Sequence, residues 1–389
     1  MTQASPVQQS ERAVIVDIIR GFALTGVLIA NFSAYSSQNI PRTVFNAISS
    51  PFDHALNDVN SIFIEWKFMT LFSILFGYGF GLIIESLEKK QINPTPFFLR
   101  RMLWLFVIGV IHTLFWWGDV LHFYAISGLF LLLFRKWSVR TTAICSILFM
   151  FVIPPVISYL FRNETDFFTD ENMQKLSEQY RRGSLLDVLR ANWQMYYQAF
   201  IITGADVHDI IETLGRFLVG YFLVRIKLFQ SVETKGHIFK RALLVTGPVV
   251  LAYFIVRWLS LRGNMHTNGT YWEPIIKVGI ISTSCFYASI LALLYIKWPR
   301  SKMLAAFSAL GKMTLTNYLL ISAFMIVLLY GIGFGQLGKI PLHKIWMLAL
   351  AWFIVEVAFS TWWLKRFRYG PAEWIWRQLT YKKRMQLRK

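Results

Sequence analysis

The stretch DIIRGFALTGVLIAN, residues 17–31, is apolar between an Asp17/Arg20 pair at one end and Asn31 at the other. Extended to 13–34 it is long enough, at about 1.5 Å of rise per residue, to cross a hydrocarbon core of about 30 Å as a helix. A secretory signal would be shorter and would not carry an acid and an arginine within it, so the segment reads as a retained membrane span. The whole chain agrees: of 389 residues, 55% are hydrophobic and 17% aromatic. That exceeds the roughly 45–50% apolar usage of soluble domains. Mean hydropathy is +0.46. Apolar runs recur at 59–84, 99–117, 119–134, 138–161, 208–228, 240–260, 274–296, 303–330 and 342–364, so the expected fold is an all-α polytopic membrane helix bundle of about ten transmembrane helices in a single integral domain.

Charge sets the expected topology. Alternate connections carry Arg12; Lys89, Lys90, Arg100 and Arg101; Arg135, Lys136 and Arg140; Arg225, Lys227, Lys235, Lys240 and Arg241; Lys297, Arg300 and Lys302; and every basic residue from Lys365 onward. The other connections hold Arg42, Arg262, Lys339 and a mixed-charge stretch at 162–207. By the positive-inside rule both termini are cytoplasmic. The net charge of +19 is distributed among these loop ends and forms no single patch, so no nucleic-acid partner is expected; the partners are membrane lipids. Cys145 and Cys285 each lie inside an apolar run, read as small core residues, and set up neither a disulfide nor a metal site.

Two regions depart from the apolar pattern. The 162–207 external loop region contains SLLDVLRANWQMYYQAF, whose apolar spacing predicts an interfacial helix able to cap a cavity open to the outer side. The tail at 370–389 interleaves Trp374, Ile375, Trp376 and Leu379 with basic residues, as in an amphipathic helix on the cytoplasmic leaflet. Gly77 and Gly81 in FGYGFG have the spacing that lets helix backbones approach closely. Gly333, Gly335 and Gly338 formally match a dinucleotide fingerprint, but no strand precedes them, and a nucleotide site is rejected.

Ionisable groups within spans are costly, roughly 2.5–3.5 kcal/mol at the centre on insertion scales, and need a partner or a cavity. Asp17 and Arg20 share a face of the first span. They form either a local ion pair that orients the helix or a site where Arg20, steadied by Asp17, binds an anionic group from the cytoplasm. At the outer level the helices place Asn31, Glu65, Lys67, His112, Asp119, Glu212, Arg216, Glu273 and Lys277. His112 is the candidate general base, with Asp119 fixing its tautomer, against the plainer alternative of a bond between helices. His122 and His54 are weaker candidates for the same role. His54 and His208 each neighbour an aspartate, but no metal-ligand spacing is present and no metal is expected.

RGFALTGVLIAN, KFMTLFSILFGYGFG, GVIHTLFWWGDVLHFYAISGL, GKMTLTNYLLI and GPAEWIWRQLTY, in that order along nearly the whole chain, resemble the YeiB-type family of bacterial inner-membrane proteins; the central loop does not take part. More distantly the chain resembles the transmembrane acyltransferase superfamily, which includes O-antigen acetylases and the lysosomal heparan glucosaminide N-acetyltransferase. That resemblance implies a multi-pass protein of the bacterial cytoplasmic membrane. It also implies transfer of an acyl group from cytoplasmic acetyl-CoA, or another acyl-CoA, to a small-molecule or glycan acceptor at the outer face. The superfamily's first helix carries RG and, eleven residues after the arginine, a polar residue that is histidine in the bacterial acetylases. Here that residue is Asn31, which cannot accept a proton, so His112 or His54 has to serve. On this reading Arg20, Arg100 and Arg101, with Asp17, attract the donor, His112 and Asp119 activate the acceptor, and Asn31 or Lys67 stabilises the oxyanion. The alternative is a transporter of a small anionic or amphiphilic solute, with the same charges as its pathway. The oligomeric state is left open, a homodimer being one arrangement.

Overall fold

A computed structural model describes residues 14–161, 166–263, 265 and 272–389. Arg12, Ala13 and residues 162–165 of the polar loop lie outside the described residues. The chain forms α1 (Val14–Ser37), the short α2 (Arg42–Ile48) and α3 (Pro51–Val59), α4 (Lys67–Lys89), α5 (Pro94–Thr113), α6 (Leu121–Leu131), α7 (Val139–Ile147) and α8 (Ile153–Phe161). It continues through α9 (Asp170–Arg182), α10 (Leu185–Tyr196), α11 (Ala205–Arg225), α12 (Gly236–Leu261), α13 (Trp272–Lys297), α14 (Lys302–Lys312), α15 (Thr314–Leu329), α16 (Leu342–Arg366) and α17 (Pro371–Tyr381). No strand forms among the described residues, only one antiparallel bridge, Phe367 to Arg388. The protein is an all-α, multi-pass membrane helix bundle.

All ten apolar segments are helical, but they do not make ten equal spans. Among the described residues seven helices are long and apolar enough to cross a membrane, and an eighth span forms if α14 and α15, bent by 82°, count as one. Two segments fall short for different reasons. The helix from Leu121 to Phe134 is too short, and α11 carries Asp206, Asp209, Glu212 and Arg216 in its first turns. The longest span, Pro51–Lys89, is interrupted by a π-helical turn at Asn60–Ile64 and by Trp66, whose φ of 67° puts it in the left-handed region.

α1 is the central helix and packs against α4, α13, α14, α15 and α16. Glycines make this closeness possible: a Cβ at Gly21 would collide with the Phe307 carbonyl, and one at Gly311 with the Asp17 carbonyl. Side chains there would push α1 and α14 apart. Gly77 likewise lies against the backbone of Phe217 on α11, so FGYGFG is a packing surface. α12 is the opposite of α1. Leu244, Val245, Leu251 and Ile255 are exposed along it, an apolar outer face suited to lipid. Cys145 packs against the core, whereas Cys285 is exposed on the bundle's outer face and is not the core residue its apolar surroundings suggested.

The bundle has two distinct ends. At one, α17 packs on α5 and α15: Glu373 accepts from the Leu315 and Thr316 backbone N–H groups at 2.6 and 3.2 Å and from the Thr316 hydroxyl at 2.5 Å. GKMTLTNY and GPAEW therefore meet, and the tail caps the start of α15, which has no side-chain cap of its own. Burial pushes the Glu373 carboxyl above its ordinary range. At the far end, α9 and α10 lie across the termini of several spans. The Asp170 carboxylate accepts from the backbone of Arg42 and Thr43 at the start of α2, the Gly331 N–H donates to the Tyr180 carbonyl at 2.7 Å, and Asn192 Oδ1 accepts from the Trp117 N–H at 3.1 Å.

Candidate functional site

Beneath α10 a single carboxylate organises the turn between α5 and α6. Asp119, fully buried, is held at the start of α6, where it accepts from the Leu121 and His122 backbone N–H groups at 2.9 and 3.2 Å. Those two bonds satisfy donors that the first turn of a helix otherwise leaves unpaired. Each carboxylate oxygen also meets an imidazole: Oδ1 lies 2.8 Å from His112 Nδ1, and Oδ2 lies 2.9 Å from His122 Nδ1. The Tyr318 hydroxyl of α15 donates to Oδ1 at 3.3 Å, and its ring lies 5.1 Å from that of His112.

An ionised carboxylate only accepts hydrogen bonds, so both imidazoles carry their proton on Nδ1 when neutral, and each Nε2 presents a lone pair. The two lone pairs have different fates. His122 Nε2 lies 3.2 Å from the hydroxyl of Tyr196 on α10, which donates to it. His112 Nε2 is buried and has no hydrogen-bond partner among the described residues. A buried group left unpaired costs about 1–3 kcal/mol, which a purely structural histidine would avoid by bonding at both nitrogens.

The Tyr35 and Trp116 rings stack at 3.7 Å and set α1 against the end of α5. Both helices run from the α17 end to the far end, and Asn31 and His112 each precede a stacked ring by four residues, about one helical turn. The stack therefore puts Asn31 and His112 at a similar depth. The Asn31 Nδ2 is likewise buried without a partner among the described residues.

The other predicted residues separate from this group. The Lys67 ammonium turns to the Ser61 carbonyl at 2.5 Å and lies 5.1 Å from the Tyr253 ring centre, on the α12–α13 side. Arg20 is 3.8 Å from Asp17 and donates to the Leu75 carbonyl at 2.9 Å, with Gly79 leaving room for its guanidinium. Arg100 donates to the Thr380 carbonyl at 3.1 Å, and Arg101 stacks on Trp376 at 3.6 Å, so both hold α17. His54 is exposed against Phe45, while its neighbour Asp53 pairs with His343 at 2.9 Å. The outer-level charges of α11 and α13 form a second group: Lys277 sits between Glu212 at 2.9 Å and Glu273 at 2.6 Å, His208 Nε2 meets Glu273 at 3.0 Å, and Arg216 pairs with Glu212. Among the described residues no set of three His, Cys, Asp or Glu side chains is arranged to hold a metal ion.

Three residues of the site escaped the sequence reading. Tyr318 was visible only as part of TLTNYLL, and Tyr196 only as one aromatic of the expected interfacial helix SLLDVLRANWQMYYQAF. Trp116 looked like one more aromatic of the WWGD turn. Each is defined by a contact with a residue distant in sequence, for which no local signal exists.

Residues 223–383 match the family model described as "Protein of unknown function (DUF418)". The chain is 28% identical to "Uncharacterized protein YxaH" of Bacillus subtilis, with 98% of this chain and 97% of that protein covered. It is 27% identical to "Uncharacterized 39.9 kDa protein in amylase 3'region" of Bacillus acidopullulyticus, over 98% and 97%. It is 26% identical to "Uncharacterized protein YeiB" of Escherichia coli K12, over 95% and 96%. The likeness to YeiB-type proteins thus runs nearly the length of the chain. No solved structure matches.

Proposed function

We propose that this chain, similar throughout to YeiB-type membrane proteins, is a membrane acyltransferase of the bacterial cytoplasmic membrane with His112 as its general base. One observation carries the reading: Asp119 orients His112 through Nδ1 and leaves a buried Nε2 unpaired. In the proposed step, Nε2 takes the proton of an acceptor hydroxyl or amine as that atom attacks the acyl carbonyl carbon of an acyl-CoA. The carbon–sulfur bond breaks, and the proton passes from His112 to the departing thiolate. Asp119 stays ionised and stabilises the imidazolium. Asn31, at the depth of His112, donates to the oxyanion through Nδ2. No role in this step is assigned to Lys67, whose ammonium lies on the α12–α13 side against Ser61 and the Tyr253 ring.

The α17 end faces the cytoplasm in this proposal, following the basic residues. The donor enters there past Arg20, and an extended pantetheine arm covers roughly half of the 30 Å core to reach the histidine. The test is incubation of the purified protein with labelled acetyl-CoA and candidate glycan or small-molecule acceptors. Transfer that His112→Ala removes supports the proposal, and transfer unaffected by that change overturns it.

A second reading, a transporter of a small anionic solute, is favoured by the 82° break between α14 and α15, since broken helices build substrate sites in many transporters. Solute flux into proteoliposomes, abolished by stiffening the break with Met313→Ala and Thr314→Ala together, would favour transport over transfer.

A further inference from the structure

The break before α4 gathers positive charge without a counter-charge in contact. Lys67, the first residue of α4, is 1% exposed, and its ammonium donates to the Ser61 carbonyl. Arg257 of α12 donates to the hydroxyl of the same Ser61. Two cations thus converge on one serine, and among the described residues neither has a carboxylate within 4.0 Å; Glu65, two residues from Lys67, lies beyond that distance. Their partners are a carbonyl, a hydroxyl and the Tyr253 ring, which offset only part of the cost of taking an ammonium and a guanidinium out of water, several kcal/mol per ion.

The surroundings offer further donors, with the Glu65 carboxylate near Lys67 but out of contact. Among the described residues the Arg257 Nε is buried without a partner, and so is the hydroxyl of Thr70, fully buried three residues after Lys67 on the same face of α4. α4 begins here with no side-chain cap; the Lys67 N–H donates to the Glu65 carbonyl at 2.9 Å, and the Phe68 and Met69 N–H groups and the positive end of the helix dipole face the break. The carbonyls freed by the interruption are already taken: Tyr287 donates to that of Phe63 at 3.1 Å and Ser284 to that of Lys67 at 2.8 Å. Exposed Trp66 and Trp258 flank the two cations, as tryptophans do at the headgroup level of a bilayer.

We propose that Lys67, Arg257 and the start of α4 bind a phosphate group, the chemistry that an anionic phospholipid headgroup presents at this depth. The phosphate oxygens accept from the ammonium, the guanidinium and the Phe68 and Met69 N–H groups of α4, and their charge neutralises the pair. The site lies on the α12 side of the bundle, apart from the Asp119 group, so it stands or falls independently of any acyl transfer.

The test titrates the purified full-length protein with phosphatidylglycerol or phosphatidylcholine and counts retained lipid by native mass spectrometry. A parallel arm measures the thermal shift produced by inorganic phosphate. Phosphatidylglycerol is expected to be retained over phosphatidylcholine, with binding weakened about tenfold in Arg257→Gln and in Lys67→Met. Arg257 is only partly buried, so its variant keeps the fold if Lys67→Met does not, and Arg262→Gln, which removes an exposed arginine 3.9 Å from Asp58, should bind as the unaltered protein does. A phosphate-induced shift that Arg257→Gln abolishes supports the site with a soluble ligand as its source. Equal retention of the two lipids with no phosphate shift, or binding that both substitutions leave unchanged, overturns it.

Discussion

Around Asp119 and between α11 and α13 the same kinds of residue are buried at a similar level of the bundle, yet their bonding differs. In the α11–α13 network every charge meets an opposite one: Glu212 holds Arg216 and Lys277, and Glu273 holds Lys277 and His208. These ion pairs run between α11 and α13. Around Asp119 the carboxylate is fully used, but one of its two histidines is left with a buried nitrogen that has no hydrogen-bond partner among the described residues. Charges paired with one another are sufficient as a structural link, even with Arg216 Nε buried and unpartnered among the described residues; an open lone pair on an oriented base is what chemistry requires.

The contrast can be broken at either region. His112→Gln should lower acyl transfer by about 10²–10⁴-fold, the usual contribution of a positioned base, while changing the unfolding midpoint little. Equal transfer by the variant would make both regions structural. In the closed network the effect should reverse. Glu212→Gln leaves Arg216 and Lys277 under-neutralised in a buried place and should destabilise the protein by about 3 kcal/mol, read from denaturant unfolding in detergent, with transfer per folded molecule retained. A milder loss would show that water reaches the network and screens it.

Two contacts at the bundle ends sharpen the comparison with weaker pairings. Glu373→Ala removes the cap that α17 places on α15 and should cost about 1 kcal/mol, with faster hydrogen exchange at Leu315 and Thr316 as its local signature. The smallest effect is expected at Asp170, which is exposed. Its hydrogen bonds to Thr43 and Arg42 lower its carboxyl below the ordinary value of 3.8. A depressed folded value means that the docking of α9 on α2 is fully present above the ordinary range and fades as pH falls through the depressed one. Limited proteolysis of 166–204 should therefore increase at acid pH in the native chain. In Asp170→Asn it should already be raised at neutral pH and show no acid step.

Much of this was legible in the residues. Every apolar run proved helical, because span length and helix rise are local quantities, and the pairing of His112 with Asp119 was legible because seven residues and a tight WWGD turn separate them. That Asn31, Lys67, His112, Asp119, Glu212 and Lys277 share an outer level was legible, but the partner each would take was not. Depth along a helix follows from counting residues, but azimuth depends on which neighbour each face packs against. Lys67 was misdirected in this way. The left-handed Trp66 just before it turns the chain, and the ammonium swings to Ser61 instead of toward α5.

Residue order was thus enough for the membrane class, the helical segments, the basic end and the likeness to YeiB-type proteins, since hydropathy and charge act segment by segment. Packing alone settled which buried groups neutralise one another and which are left with a free valence, because pairing is a relation between helices that no one helix encodes. The arginines at the start of α5 make the point: their sequence marks a basic mouth, and the fold spends both on holding the C-terminal helix.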